Sequence, residues 1–301
     1  MLNWSQYCVE AATILLALAL MSSIFVLAVN RGATRTPELV AAGGGGGSVA
    51  LAERPQEVAP ARGGLAVYGS WLTRLALAFL TTALVLRGIV TGHGPFANQY
   101  EFAVAFGWGI VAAFAFFEYR YRVRALGLLV LPVAGGLLLY AMTVGAKADP
   151  LVPALQNNLL LTVHVALAII AYGAFSVACA AGALYLISPP EGRRWLPKPE
   201  KLDEIAYRAV VIAFPLMTLV IILGAVWAQI AWGTYWSWDP KETASLFTWL
   251  IYGAYLHARV VRGWRGRRAN WLLMLGFAAV LFTFFGNLFF GGLHSYSGVA
   301  K

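Results

Sequence analysis

Polar positions in this chain are confined to short breaks between long apolar runs. Eight such runs occur, near residues 8–29, 69–91, 98–119, 125–145, 158–187, 207–231, 243–261 and 270–291. Each is about the 20 residues that an α-helix needs to cross about 30 Å of hydrocarbon. The pattern predicts an all-α, polytopic integral membrane protein with about eight transmembrane helices, the fifth long enough to project beyond the bilayer. One stretch is of another kind. Residues 31–66 contain Gly43 to Gly47 in a row together with Pro37, Pro55 and Pro60, which reads as a flexible cytoplasmic linker. The expected organisation is an N-terminal transmembrane helix (1–30), this linker (31–66) and a seven-helix domain (67–301). No internal repeat is evident.

Composition supports the membrane reading. The chain has 301 residues, 60% of them hydrophobic and only 12% charged, against about 25% charged in soluble domains. A net charge of +9 would suit nucleic acid, but the basic residues cluster in short loops between the apolar runs, so no nucleic-acid partner is expected. Eighteen of the 22 Lys and Arg residues fall on one side of the predicted membrane, the others being Arg87, Lys147, Lys241 and Lys301. The basic side is expected to be cytoplasmic. Both termini and the loop between helices six and seven then face outward. No signal peptide is read in the first apolar run, which lacks a basic leader and a clear cleavage site. Cys8 and Cys179 are far apart and form no Cys-x-x-Cys pair. They read as packed membrane-helix cysteines, with no dithiol or thiolate-metal chemistry.

The loop between helices six and seven carries the densest chemistry. Trp232, Tyr235, Trp236 and Trp238 put four aromatic rings within seven residues, followed by Asp239, Pro240, Lys241 and Glu242. Two or three such rings make an ordinary interfacial belt. Four beside a glycine suggest a flat aromatic floor for a large planar ligand. Asp239, Pro240 and Glu242 have the order of an N-cap, a first helical proline and a capping-box glutamate, so they read first as the start of helix seven.

Four histidines occur. His164, at the outer start of helix five, and His294, beyond the outer end of helix eight, share a side with the tryptophans. Alone, each reads as an interfacial hydrogen-bonding residue. Together with the aromatic floor they fit haem, whose iron takes imidazole on each face. Lys241 has the charge to meet a haem propionate. His257 lies deep in helix seven toward the cytoplasmic end. An ionisable group there is a functional candidate, with a packed neutral imidazole as the bland alternative. His93 sits in a Gly-Pro turn and reads as structural or as a substrate contact, not as an iron ligand.

Three stretches, in order, resemble the CcsA/ResC-type proteins of cytochrome c biogenesis (called CcsB in some lineages), the haem-handling WWD family of System II. Trp232 to Glu242 looks like the family's tryptophan-rich WWD segment. Gly92-His93-Gly94-Pro95-Phe96-Ala97-Asn98-Gln99-Tyr100-Glu101 is similar to a family stretch of the form G-H-x-P-x-x-N-x-Y-E. Gly292-Leu293-His294-Ser295-Tyr296 resembles the family's C-terminal histidine segment. The resemblance covers roughly residues 68–298 and leaves the first helix and the glycine linker unexplained.

It implies that His164 and His294 ligate haem iron on the outer side of a bacterial cytoplasmic membrane. Trp232, Trp236, Trp238 and Asp239 would form the surrounding haem-binding segment. His257 would work with a histidine of a ResB-type partner subunit. The implied activity is that of a subunit of a holocytochrome c synthase, or haem lyase. Haem b would be carried to the outer face and joined to the Cys-x-x-Cys-His thiols of apocytochrome c, with a thioredoxin-like protein as thiol reductant. The gain from the site would be mainly proximity, since no residue is an evident acid or base for the addition. A haem transporter or chaperone that delivers haem without attaching it would use the same pocket. An ordinary transporter with an aromatic belt is the third reading.

Overall fold

A computed structural model describes residues 1–32, 63–148, 151, 155–156, 158–189, 196–286 and 289–295. The linker expected over 31–66 thus lies almost wholly outside the described residues. The elements are α1 (Leu2–Gly32), α2 (Gly63–Thr91), α3 (Gln99–Tyr121), a 3-10 turn at Arg124–Leu126, α4 (Gly127–Val144), α5 (Asn158–Ile187), α6 (Pro199–Trp232), α7 (Pro240–Val260) and α8 (Arg267–Phe285). Among the described residues the regular structure is all helical, as the apolar runs predict. Helix α6 is the longest at 34 residues and begins well before the expected residue 207.

Among the described residues, seven of the eight helices are long and apolar enough to cross a membrane. The exception is α7, where Thr243, Ser245, Thr248, His257 and Arg259 dilute the apolar character. It lies beside α8 and α6 and completes the bundle. Helix α5 is the centre of the assembly and packs against α3, α6 and α8, while α1 runs along α2 and α4. Much of the outward surface is apolar: Ile14, Leu18, Met21 and Phe25 on α1 and Leu219, Ile222, Val226 and Ile230 on α6 are exposed. That surface suits lipid. The interior, with no hydrophobic drive between helices in lipid, relies on close contact between small residues. Helices α3 and α5 cross at Gly109 and Gly173. A Cβ at Gly109 would stand 2.5 Å from Ile169 Cγ2, and one at Gly173 would strike the carbonyl of Gly109.

The helix ends explain how one end of the bundle is shaped. Asn98 caps α3, its Oδ1 accepting the Glu101 N–H at 3.0 Å, and its Nδ2 donates to the Lys147 carbonyl at 2.9 Å. Glu101 accepts the Ala97 N–H at 2.5 Å. Arg87, near the end of α2, is 2% exposed. Its Nε meets Glu101 Oε1 at 2.6 Å, and its two amino groups donate to the carbonyls of Ala146 and Lys147 at 3.0 and 2.6 Å. Its guanidinium also lies 4.8 Å from the Tyr100 ring centre. The charge tally counts Arg87 as an outer-side basic residue. The structure makes it the buried clasp that joins the ends of α2 and α4 to the start of α3.

Candidate functional site

The loop between α6 and α7 is set by backbone conformation and by two carboxylates. Helix α6 stops at Gly233, which takes φ 79° and donates its N–H to the Gln229 carbonyl, a glycine cap in the left-handed region. Trp238 adopts φ 60°, a costly conformation for a bulky residue. The first turn of α7 holds it there. Asp239 caps α7, with Pro240 in the first helical turn and a full capping box with Glu242. Glu242 Oε2 also accepts the Ser237 N–H at 2.9 Å and the Ser237 hydroxyl at 3.2 Å. The loop is therefore stapled to the α7 start, as the Asp-Pro-Lys-Glu order predicts.

Asp239 has a second partner that sequence order does not reveal. His294 Nδ1 lies 2.7 Å from Asp239 Oδ1, and the His294 backbone N–H points at Oδ2 at 3.4 Å. Asp239 is 6% exposed. Burial pushes its carboxyl upward, but the hydrogen bonds from the His294 ring, the Lys241 N–H and the His294 N–H outweigh this and hold its pKa at about 2. Burial pushes the His294 imidazole below its ordinary range, with Asp239 opposing. The result is an anionic carboxylate beside a neutral imidazole. An ionised carboxylate only accepts, so Nδ1 carries the proton and the lone pair sits on Nε2.

His164 faces the same space from α5. Its Nδ1 donates to the Val220 carbonyl of α6 at 2.9 Å, which again leaves the lone pair on Nε2. The ring is seated by Gly224, where a Cβ would stand 2.8 Å from His164 Cε1. His164 and His294 both line one cavity of about 1280 Å³, counting its open mouth, between the ends of α3, α5, α6, α7 and α8. Trp227, Tyr235, Trp236, Lys241 and Tyr172 share the lining. Lys241 Nζ lies 4.8 Å from the Phe102 ring centre.

The aromatic residues do not form one flat floor. Trp236 lines the cavity. Trp238 is 68% exposed, lies outside the lining and stands edge-on to Trp236, with ring centres 5.7 Å apart at 89°. Trp232 turns the other way and meets the His294 ring edge-on at 4.8 Å and 77°. Behind it is Trp227, 4.6 Å from Trp232 and 5.6 Å from His294. Edge-to-face contact is the ordinary preference of crowded rings, and it splits the run into a wall, Trp236, and a buttress, Trp232 with Trp227. Trp227 and Gly224 belong to the site without a mark in the sequence, since both sit inside an apolar run.

The other histidines lie elsewhere. His257, expected deep in helix seven, is exposed in the last turn of α7 and does not line this cavity. His93 bonds its own turn, Nδ1 to the Gly94 carbonyl at 2.8 Å, and is also outside the lining. The stretch that contains it contributes Ala97, Asn98 and Gln99 to the cavity instead.

Residues 96–294 match the family model described as Cytochrome C assembly protein. The chain is 37% identical over 258 residues to Cytochrome c biogenesis protein CcsA of Guillardia theta, covering 76% of this chain and 84% of that protein. It is 36% identical over 290 residues to Cytochrome c biogenesis protein CcsA of Gloeobacter violaceus, covering 76% and 86%. It is 33% identical over 289 residues to the protein of the same name from Pyropia yezoensis, covering 80% and 90%. The matched region runs from just before α3 to His294 and so contains both imidazoles and the walls between them.

Proposed function

Since the chain belongs to the cytochrome c assembly protein family and has a role in cytochrome c biogenesis, we propose that its cavity holds haem b between His164 and His294 and presents it for attachment to apocytochrome c. The observation that carries this reading is the pair of imidazoles on one cavity, each with Nδ1 bonded to an acceptor and its lone pair on Nε2. That donor set fits haem iron. Apolar and aromatic walls suit the macrocycle, and the Lys241 ammonium suits a propionate.

Bound haem supplies the vinyl groups to which the two cysteine thiols add. The protein holds them still, excludes water with Phe102, Phe106 and Trp236, and leaves a mouth for the peptide. The contribution is proximity: a fixed vinyl and a docked thiol react as an intramolecular pair. Trp232 and Trp227 support His294 from behind, and Trp238 at the exposed rim is available to the incoming chain.

The arginine-rich end of the bundle, opposite the cavity, is the cytoplasmic end in this reading. The cavity then opens on the outer side of a bacterial cytoplasmic membrane. His257, exposed toward the arginine-rich end of α7, is the contact to a ResB-type partner subunit whose own histidine completes a second haem site on the way outward. A thioredoxin-like protein keeps the apocytochrome thiols reduced. Residues 67–301 act as the haem-handling domain, with 1–30 as an added helix and 31–66 as its tether.

Co-expression of this chain and its partner with a Cys-x-x-Cys-His substrate tests the reading. Haem covalently bound to the substrate is expected. Haem that co-purifies with the complex while reduced substrate stays unmodified would instead identify a carrier. His257 has its own test: His257→Ala should lower the haem that reaches the outer cavity, and added imidazole should restore part of it. Unchanged haem content would mean that His257 is a surface residue and no ligand.

A further inference from the structure

The two histidines of the cavity are held differently, and the difference points to a task for Asp239. His164 Nδ1 donates to a backbone carbonyl, that of Val220, which is neutral. His294 Nδ1 donates to a carboxylate at 2.7 Å. An imidazole whose outer N–H is shared with an anion gains negative character at its other nitrogen and becomes a stronger donor to a metal. No carboxylate takes the Nδ1 proton of His164.

The carboxylate is fixed from several directions. Asp239 Oδ1 accepts the Lys241 N–H at 2.9 Å as the cap of α7, and the positive end of a helix favours a carboxylate there. The loop before it is tied down by Glu242. On the opposite side the 292–294 segment closes over it. A Cβ at Gly292 would overlap the Asp239 carboxylate and stand 2.9 Å from Pro240 Cδ, so this approach requires glycine. The second contact, from the His294 N–H to Oδ2 at 3.4 Å, fixes the backbone that carries the ring. At 6% exposure the charge is weakly screened by water.

We propose that Asp239 is the positioning residue of the outer haem site. It sets the rotamer and tautomer of His294 and makes His294 the stronger of the two axial donors, favouring ferric iron and lowering the reduction potential of bound haem. The proposal rests on the reading of His164 and His294 as iron ligands, and it gives the Asp of the tryptophan-rich segment a role beyond its helix cap.

The two roles of Asp239 can be separated, because asparagine caps a helix as well as aspartate does but carries no charge. The measurement uses the full chain purified with its membrane partner and the haem it carries, and records the absorption spectrum, the midpoint potential and the haem retained on dilution. Asp239→Asn is expected to keep a bis-imidazole spectrum, to raise the midpoint potential and to lose haem affinity by about 10-fold or more, the usual effect of removing an outer-shell carboxylate. The control is Ser237→Ala with Thr243→Ala. These remove two side-chain bonds of the loop, to Glu242 and to the Trp238 carbonyl, without touching His294, and should leave the potential where it was.

If Asp239→Asn fails to accumulate, Gly292→Ala serves in its place. It presses on the same carboxylate from the other side and should raise the potential in the same direction. An unchanged potential and haem retention in Asp239→Asn, or an equal change in the loop control, would overturn the proposal. Failure of the underlying reading looks different: single alanine replacements of His164 and His294 would then leave the spectrum unaltered. If those two variants change the spectrum and Asp239→Asn does not shift the potential, only the role of Asp239 falls.

Discussion

Replacing His164 and His294 together by alanine is expected to leave the outer cavity without bound haem and to abolish cytochrome c maturation. Each imidazole is delivered by a different part of the chain, His164 by the second turn of α5 and His294 by the segment after α8, so neither can stand in for the other. Each is also pre-oriented, by the Val220 carbonyl and by Asp239, so binding costs little side-chain ordering. Losing one should weaken the haem and alter its spectrum. Losing both leaves apolar walls and Lys241, which can hold a porphyrin only loosely. The measurement is the absorption spectrum of the purified complex together with haem staining of a co-expressed Cys-x-x-Cys-His substrate. Full maturation by the double variant would remove the axial-ligand reading altogether.

Arg87→Ala should be the most damaging change outside the cavity. Arg87 and Glu101 form a pair exposed by only 2% and 1%, and removing one partner leaves the other charged and buried. Such a loss costs about 3–5 kcal/mol, a large part of the roughly 5–15 kcal/mol that holds a typical domain together. Here it would also free the Ala146 carbonyl, leave the Lys147 carbonyl with Asn98 as its remaining donor, and loosen Ala97, Asn98 and Gln99, which line the cavity. The expected outcome is a marked fall in melting temperature in detergent, with reduced haem retention. Replacing both partners by neutral residues, Arg87→Met with Glu101→Gln, should recover part of the stability because no lone charge is left buried. A single Arg87→Ala variant as stable as the parent would show that the clasp contributes nothing.

The reach of the sequence can be judged residue by residue. Long apolar runs locate the helices because lipid forces every backbone group into an internal hydrogen bond. Helix ends are less visible: α6 begins at Pro199 rather than near 207, since its first turns lie among polar residues. The α7 start is legible because Asp239, Pro240 and Glu242 each have a positional meaning in a helix cap. The meeting of His164 and His294 on one cavity follows from counting which side of the membrane each helix end occupies. The contact between Asp239 and His294 is not legible, because it joins residues 55 apart in sequence. Nor is the flat floor inferred from the four aromatic residues found, because ring contacts depend on backbone turns such as φ 60° at Trp238. Arg87 shows the same limit: a charge near a helix end is counted as a surface residue until its partner, 14 positions away, is seen.

The order of the site along the chain has a consequence for biosynthesis. One imidazole enters the membrane with α5, while the other, and the glycine that lets it close on Asp239, come after α8. A nascent chain that has threaded seven helices therefore presents His164 alone beside a capped but unengaged Asp239. The cavity lined by both imidazoles is therefore complete only once α8 is inserted and its trailing segment has folded back against Asp239.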